Sequence, residues 1–311
     1  MDLAIVVVSY NTRDLTADCL NSVYGDLEGS GLSGHIWVID NASSDSSAEM
    51  VAERFPQATL IAQDTNLGFA AATNLGVEAA LALDMPPRYV MLLNPDTIVR
   101  PGALEILVAF MDKTPSAGAA GARLFYGDGT FQHSAFRFPS LSMAFLDFWM
   151  INHRLLDSRL NGRYPRRLYE LGEPFIIDHP LGAAMLIRRE ALTDVGLLDE
   201  GFFMYCEEID WCFRAKAAGW DIYCVPLSEV VHLGGQSASQ FRARMFQALW
   251  ASRFRLFAKY YGSFYQQGVR WIVRAGLRRE LSRLRRQVSA GEVDPSEAER
   301  RRHAYEAVMA M

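Results

Sequence analysis

The segment Leu3–Tyr10 reads LAIVVVSY, with six apolar residues in a row. A strand turns successive side chains to opposite faces, so a run this uniform needs cover on both sides. Sheets whose strands are joined by helices meet that requirement. The following residues supply such a helix: Asn11-Thr12 offer a cap, and Leu15, Cys19, Leu20 and Val23 share one helical face. The alternation then repeats. HIWVID (His35–Asp40) reads as a second strand, and NASSDSSAEMVAERF as a loop and a helix capped from its Ser/Asp cluster. ATLIA (Ala58–Ala62) is a third strand, NLGFAAATNLGVEAALAL (Asn66–Leu83) a loop entering an alanine-rich helix, and YVMLL (Tyr89–Leu93) a fourth strand. Pro101 suits the first turn of a further helix. Strands alternating with helices predict an α/β fold with a mostly parallel central sheet flanked by helices.

Ligands of such sheets bind at the carboxyl ends of the strands. Tyr10-Asn11, Asp40-Asn41, Asn66-Leu67-Gly68 and Asn94-Pro95-Asp96 all fall on that rim. The loop after the first strand reads SYNTRD, not G-x-G-x-x-G, and no G-x-x-x-x-G-K-[ST] occurs. The sequence therefore does not predict a dinucleotide-dependent dehydrogenase, and it lacks the P-loop signature.

The second half is less regular. GARLFYGDGTFQHSAFRF predicts a hairpin around Gly127-Asp128-Gly129, and residues 139–173 show no clean period and are expected to form a mobile excursion. AAMLIR (Ala183–Arg188) is a strand. EEIDWCFRAKAAGW begins with three acids and continues as a helix that Gly219 ends. DIYCVP is a strand with His232 shortly after it, and from about Gln236 the pattern is helical to Gln287 and again from Pro295.

A length of 311 residues suits one large α/β domain or two small ones, and 50% apolar with 22% charged residues is the composition of a globular protein. The richest apolar stretch, LSMAFLDFWMI, is short and contains Asp147, so no membrane span is predicted. The N-terminus lacks a basic region and a small-residue cleavage site, so no signal peptide is predicted and a cytoplasmic location is expected. Cys19, Cys206, Cys212 and Cys224 form no C-x-x-C pair or zinc spacing and are expected to be reduced and buried. Charge is uneven. Between Gln240 and Arg286 twelve arginines or lysines face one acid, Glu280, whereas the chain as a whole carries −5.

VVVSYNTRD, VIDNASSDSS, NLGFAAATNLG, LLNPDT, LGAAMLIRREALTDVGLLDEGFFMYCEEIDWCFRAKAAGW and VVHLGG, in that order, resemble the family 2 glycosyltransferases, in particular their bacterial rhamnosyltransferase-like branch. The resemblance covers about residues 3–235. It implies a GT-A, Rossmann-like catalytic domain over 1–235, with 236–311 as a helical extension. It also implies a nucleotide-sugar donor, a divalent metal (Mg²⁺ or Mn²⁺) and inversion at the anomeric carbon. Asn94-Pro95-Asp96 takes the place of the family's D-x-D, so the resemblance assigns Asp96 to a metal that bridges the donor diphosphate, and Asn94 to orienting the ribose or a metal-bound water. Asn94 departs from the pattern by bringing a neutral oxygen. Glu207-Glu208 matches the family's acidic pair, with Glu208 as catalytic base and Asp210 orienting the site or capping the helix. The family more often has Asp at the base, and Glu is one methylene longer. His232 completes the metal site. Asp40 accepts from the pyrimidine N3–H, with Ser9, Tyr10 and Asn11 shaping the base pocket. Asn66, Gly68 and Asn74 line the ribose and diphosphate side, and Gly182-Ala183 form the floor near the sugar. Trp211 stacks on a sugar or packs in the core.

The expected reaction moves a sugar, L-rhamnose from dTDP-rhamnose before any other, onto a cell-envelope glycan or a lipid-linked acceptor. Two alternatives stand beside it: a UDP-hexose or UDP-N-acetylhexosamine donor, and a non-catalytic glycan-binding or assembly protein that kept the fold. The basic, aromatic stretch after Gln240 reads as a helix packed with a solvated basic face, as a peripheral contact with an anionic membrane surface, or as a homodimer contact. It carries no nucleic-acid motif, so no nucleic-acid partner is expected.

Overall fold

In the computed structural model, all seven residues of Leu3–Ser9 are buried and form β1. The structure describes every residue except 150, 151, 153, 154, 156 and 235–241, and the side chain of 242. Helix α1 (Arg13–Gly29) leads to β2 (Gly34–Asp40), α2 (Ser47–Arg54) to β3 (Thr59–Ala62), and α3 (Phe69–Leu81) to β4 (Tyr89–Leu93). These strands pair in parallel in the order β3-β2-β1-β4. The expected parallel, helix-flanked sheet is thus present, and β1, β2 and β4 end on the same edge.

The caps are less local than the sequence suggests. Thr12 precedes α1, but its hydroxyl lies 3.1 Å from that of Ser9 and 3.2 Å from that of Thr16. The first helical N–H, from Arg13, donates instead to Asp45 Oδ2 at 3.0 Å, and Asp45 Oδ1 accepts from Ser47 N at 3.1 Å. One carboxylate therefore serves the first turns of two helices. Pro101 sits two residues ahead of α4 (Ala103–Lys113), whose start is held by Asp26: Oδ2 accepts from Leu104 N at 2.9 Å and Oδ1 from Gly102 N.

Two strands depart from the sequence reading. The chain from Ala117 to Phe125 is not only one arm of a hairpin but a nine-residue strand, β6, in the interior of the sheet. It pairs with β7 (Phe131–Gln132) around the expected turn and, past the two-residue strands β8 (Ala135–Phe136), β9 (Phe175–Ile176) and β10 (His179–Pro180), with β11 (Ala184–Arg188) and with β12 (Asp221–His232). Its alanines and glycines carry little strand signal. They are there for close approach: a Cβ at Gly118 would lie 2.7 Å from Trp220, and one at Gly121 2.5 Å from the ring of Pro180. Gly121→Ala is expected to destabilise the fold by about 1–3 kcal/mol through overpacking; an unchanged urea midpoint would contradict this. The second departure is β12, which is one continuous strand ending on His232, so the histidine belongs to the sheet. β5 (Thr97–Val99) runs antiparallel to it, with His232 opposite Thr97.

The chain divides into two compact units. The first comprises Met1–Arg137, Tyr164–Phe203 and Glu207–Ser237 and holds the sheet. Its core includes Leu3, Ile5, Val7, Leu20, Ile36, Met91, Leu107 and Leu186. The second comprises Phe138–Arg163, Met204–Cys206 and Ala238–Met311. Its helices Leu141–Leu146 (α5), Arg242–Tyr260, Ser263–Ser289 and Pro295–Ala310 surround a separate core of Ala144, Trp250, Phe257, Val269, Val273, Leu277 and Val308. The expected excursion over 139–173 contains α5, a short 3₁₀ turn at Arg159–Asn161 and a helix at Arg166–Glu170. The expected boundary at 235/236 and the start of the helical extension near Gln236 lie outside the described residues. Among those described, no helix is long and apolar enough to cross a membrane. All four cysteines are buried and outside any disulfide.

Candidate active site

The rim is assembled by side chains that bond to backbone across loops. At the end of β1, Asn11 adopts a positive φ of 52°. Its N–H donates to Ser43 Oγ at 2.9 Å and its Oδ1 accepts from Ser44 N at 2.7 Å, fastening the loop after β2. Ser9 is buried, its hydroxyl 3.0 Å from that of Thr16. Asn41 Nδ2 donates to Asn66 Oδ1 at 3.0 Å and to the Gly68 carbonyl at 3.2 Å, while its Oδ1 accepts from Leu67 N at 2.9 Å. Asn66 Oδ1 also accepts from Gly68 N at 2.9 Å. Gly68 has φ +85°, and a side chain there would strike Phe203, whose carbonyl accepts from Phe69 N at 2.7 Å. Nothing in the local sequence marks Asn41 beyond its place on the rim; its two-sided amide is what folds the loop.

Asp40 is 3% exposed. Oδ2 accepts from Ser43 N at 3.0 Å, but buried Oδ1 has no partner in the structure. Leaving a buried acceptor unpaired is costly, so this oxygen is held ready for an incoming donor.

Asn94-Pro95-Asp96 follows β4. Asn94 N donates to the Ala183 carbonyl at 2.9 Å, and its own carbonyl accepts from Thr97 Oγ1 at 2.7 Å. Cys19 supports the turn from below, 3.5 Å from Thr97 Oγ1, and burial pushes its thiol up to about 12, so it stays a thiol. Asp96 and His232 are both buried, with Asp96 Oδ1 3.4 Å from His232 Nε2. The β5–β12 register produces this pair, and Leu233 N reinforces it by donating to the Asp96 carbonyl at 2.9 Å. On the far side of the ring, His232 Nδ1 lies 3.2 Å from Gln132 Oε1. Gln132 carried no recognisable signal in the sequence; its two-residue strand places it.

A carboxylate oxygen and an imidazole nitrogen this close suit one divalent cation. Ligands bound at about 2.1 Å and at a right angle sit roughly 3 Å apart. Among the described residues no group of three or more metal-ligating side chains occurs. Mg²⁺-type sites commonly have one or two protein ligands, with phosphate and water filling the rest.

The helix Glu207–Ala217 presents its acids differently from one another. Tyr205 and Cys206, just before it, both have positive φ, 71° and 70°. Glu208 is partly buried and packs over Gly182, where a Cβ would lie 3.4 Å from its Cγ. Because Ala183, next to Gly182, bonds Asn94, the backbone under Glu208 is tied to the Asn94–Asp96 turn. Burial pushes the Glu208 carboxyl up to about 7. Glu207 is more deeply buried; burial first, then the charge of Glu208, raise it well above the usual carboxylate range. Burial and the closeness of the two carboxyls thus favour the protonated form of both. Each has a buried Oε2 without a partner.

Three other residues singled out in the sequence converge on one loop. Asp210, fully buried, accepts from Arg214 Nε at 2.9 Å, and Arg214 donates to the carbonyls of Val195 at 2.6 Å and Leu197 at 2.7 Å. Trp211 has no exposed surface and donates from Nε1 to the Gly196 carbonyl at 2.9 Å, so the core alternative holds. Asn74 Nδ2 donates to the Leu198 carbonyl at 2.9 Å and to Glu200 Oε1 at 3.0 Å, and its Oδ1 accepts from Leu198 N at 3.1 Å. Their polar atoms are engaged in holding residues 195–200, the loop that leads to Phe203.

Both the sequence and the fold have known counterparts. Residues 4–196 match the profile described as Glycosyl transferase family 2. The chain is 29% identical over 253 residues to an N-acetylglucosaminyl-diphospho-decaprenol L-rhamnosyltransferase of Mycobacterium tuberculosis, covering 78% of this chain and 80% of that one. It is 27% identical to the rhamnosyltransferase WbbL of Escherichia coli, over 55% of this chain and 62% of that one. Among solved structures, the mannosyltransferase PcManGT from Pyrobaculum calidifontis, in complex with GDP-Man and Mn²⁺, aligns with a TM-score of 0.56 at 16% identity, covering 99% of this chain and 85% of that one.

Proposed function

From the premise that this chain belongs to glycosyltransferase family 2, we propose that it is an inverting, metal-dependent enzyme that moves L-rhamnose from a dTDP-linked donor to a lipid-linked glycan. The observation that carries the chemistry is the buried Asp96–His232 pair, 3.4 Å apart on the strand-end rim. The donor and acceptor rest on the rhamnosyltransferase relatives, one of which is named for a polyprenyl diphosphate acceptor.

Asp96 Oδ1 and His232 Nε2 would hold a divalent cation, which when bound supplies positive charge against the leaving diphosphate. Gln132 keeps the His232 ring oriented with Nε2 toward Asp96. Asp40 Oδ1 takes the N3–H of a pyrimidine base, and the Asn66–Gly68 loop and the start of α3 seat the phosphates. Glu208 accepts the proton of the acceptor hydroxyl as that oxygen bonds to the anomeric carbon. The bond from that carbon to the diphosphate oxygen breaks, and the nucleoside diphosphate leaves. A single displacement of this kind inverts the configuration. Burial pushes Glu207 toward its protonated form and so limits the negative charge beside the base. Asn74, Asp210 and Trp211 act as positioning residues through the 195–200 loop.

The test is a donor panel with Mn²⁺, read as released nucleoside diphosphate. dTDP-rhamnose is expected to be turned over fastest. Release from UDP-hexose, UDP-N-acetylhexosamine or a GDP-sugar, with none from dTDP-rhamnose, would overturn the donor assignment.

A further inference from the structure

The helix Ser263–Ser289 buries one face and leaves the other with large aromatic groups in water. Val269, Val273, Gly276, Leu277 and Leu284 point inward. Phe264 is 87% exposed and Trp271 71% exposed. They are seven residues apart, about two helical turns, and so share a face. Arg274 and Arg278 extend that face by the next three and seven positions. A shallow cleft of about 330 Å³ runs along it, lined by Gln267, Arg270, Trp271, Arg274, Ala275 and Arg278. Arg274 is held in place by donating from Nε to the Met309 carbonyl at 3.1 Å.

Exposed apolar groups of this size are costly in water and mark a contact surface. The charge identifies the contact. The helix carries seven arginines and one acid, Glu280. Among the described residues, Arg278, Arg283, Arg285 and Arg286 take part in no ion pair. Guanidinium groups alternating with a phenyl and an indole ring match an anionic bilayer surface, where the rings enter the headgroup–acyl boundary and the arginines meet phosphate. Single-stranded nucleic acid also pairs basic charge with stacked aromatics, but the chain carries no nucleic-acid motif, and the bilayer is the occupant that a lipid-linked acceptor requires.

We propose that this face, centred on Phe264, Trp271, Arg274 and Arg278, docks the protein on an anionic phospholipid surface. The inference rests for its purpose on the lipid-linked acceptor proposed above. The face delivers the enzyme to the plane in which such an acceptor lies.

The test is co-sedimentation of the full chain with vesicles of phosphatidylcholine, alone or mixed with phosphatidylglycerol. The variants are Phe264→Ser/Trp271→Ser and Arg278→Ala/Arg285→Ala, all at exposed positions. The wild type is expected to bind the mixed vesicles, less so at high salt. Each double variant is expected to bind roughly tenfold more weakly or worse, with an unaltered thermal melt. Equal binding by variants and wild type, or equal binding to both lipid compositions, would overturn the proposal. So would a variant-sensitive dimer or RNA complex without vesicle binding. Donor hydrolysis measured without vesicles should be the same in all three proteins. Loss of lipid binding with hydrolysis intact would thus leave the transferase reading standing, and absent hydrolysis with lipid binding intact would do the reverse.

Discussion

Glu208→Gln is expected to lower the transfer rate by about 10²–10⁴-fold, the usual contribution of a positioned base, while leaving nucleotide affinity near its wild-type value. Glutamine keeps the side-chain length over Gly182 but cannot take a proton. The pH profile provides a second readout. Burial pushes Glu208 up to about 7, so below that pH it is protonated and idle, and above it the carboxylate is free to accept. Transfer should therefore rise with pH through about 7, and the residual activity of the glutamine variant should lack that limb. An active Glu208→Gln enzyme, or one that keeps the same pH limb, removes Glu208 as the base.

Asp96→Ala is expected to erase the metal dependence of donor binding. In the wild type, calorimetric titration with dTDP should show affinity increasing by at least about tenfold when Mn²⁺ is added, since the cation neutralises diphosphate charge. Without Asp96 only His232 remains of the pair, and the ratio of affinities with and without Mn²⁺ should fall to near one. His232→Ala should act in the same direction. A variant that retained the full ratio would place the cation elsewhere. The measurement concerns binding alone, so its outcome does not depend on the donor sugar or the acceptor.

Much of the fold was legible because burial leaves local marks. The apolar runs at Leu3, His35 and Tyr89, the helical spacing between them and Gly219 at a helix end all correspond to observed elements. β6 escaped because its signal runs the other way: its glycines and alanines are small so that Trp220 and Pro180 can lie against it, and small residues say little about a strand in isolation. The rim was legible as a set of polar residues at strand ends. Which of them face a ligand was not. Asn74, Asp210 and Trp211 look like neighbours of a site in the sequence, yet their polar atoms are engaged by the 195–200 loop. Gln132, by contrast, stands behind His232 without any local pattern to mark it.

By itself, the sequence determined the alternating strands and helices, the edge on which polar residues gather, and the family. These depend on periodicity and on short motifs, which neighbouring residues encode. The tertiary structure alone decided that Asp96 and His232 meet, that Asp40 keeps one oxygen without a partner, and that Phe264 and Trp271 share an outward face while Val269 and Val273 are buried. The first depends on the register of β12 against β5, the second on where the Ser43 N–H comes to lie, and the third on which side of a helix its neighbours cover. The first and third are relations between distant parts of the chain, and all three are set by packing and hydrogen-bond satisfaction in the folded molecule rather than by residue type.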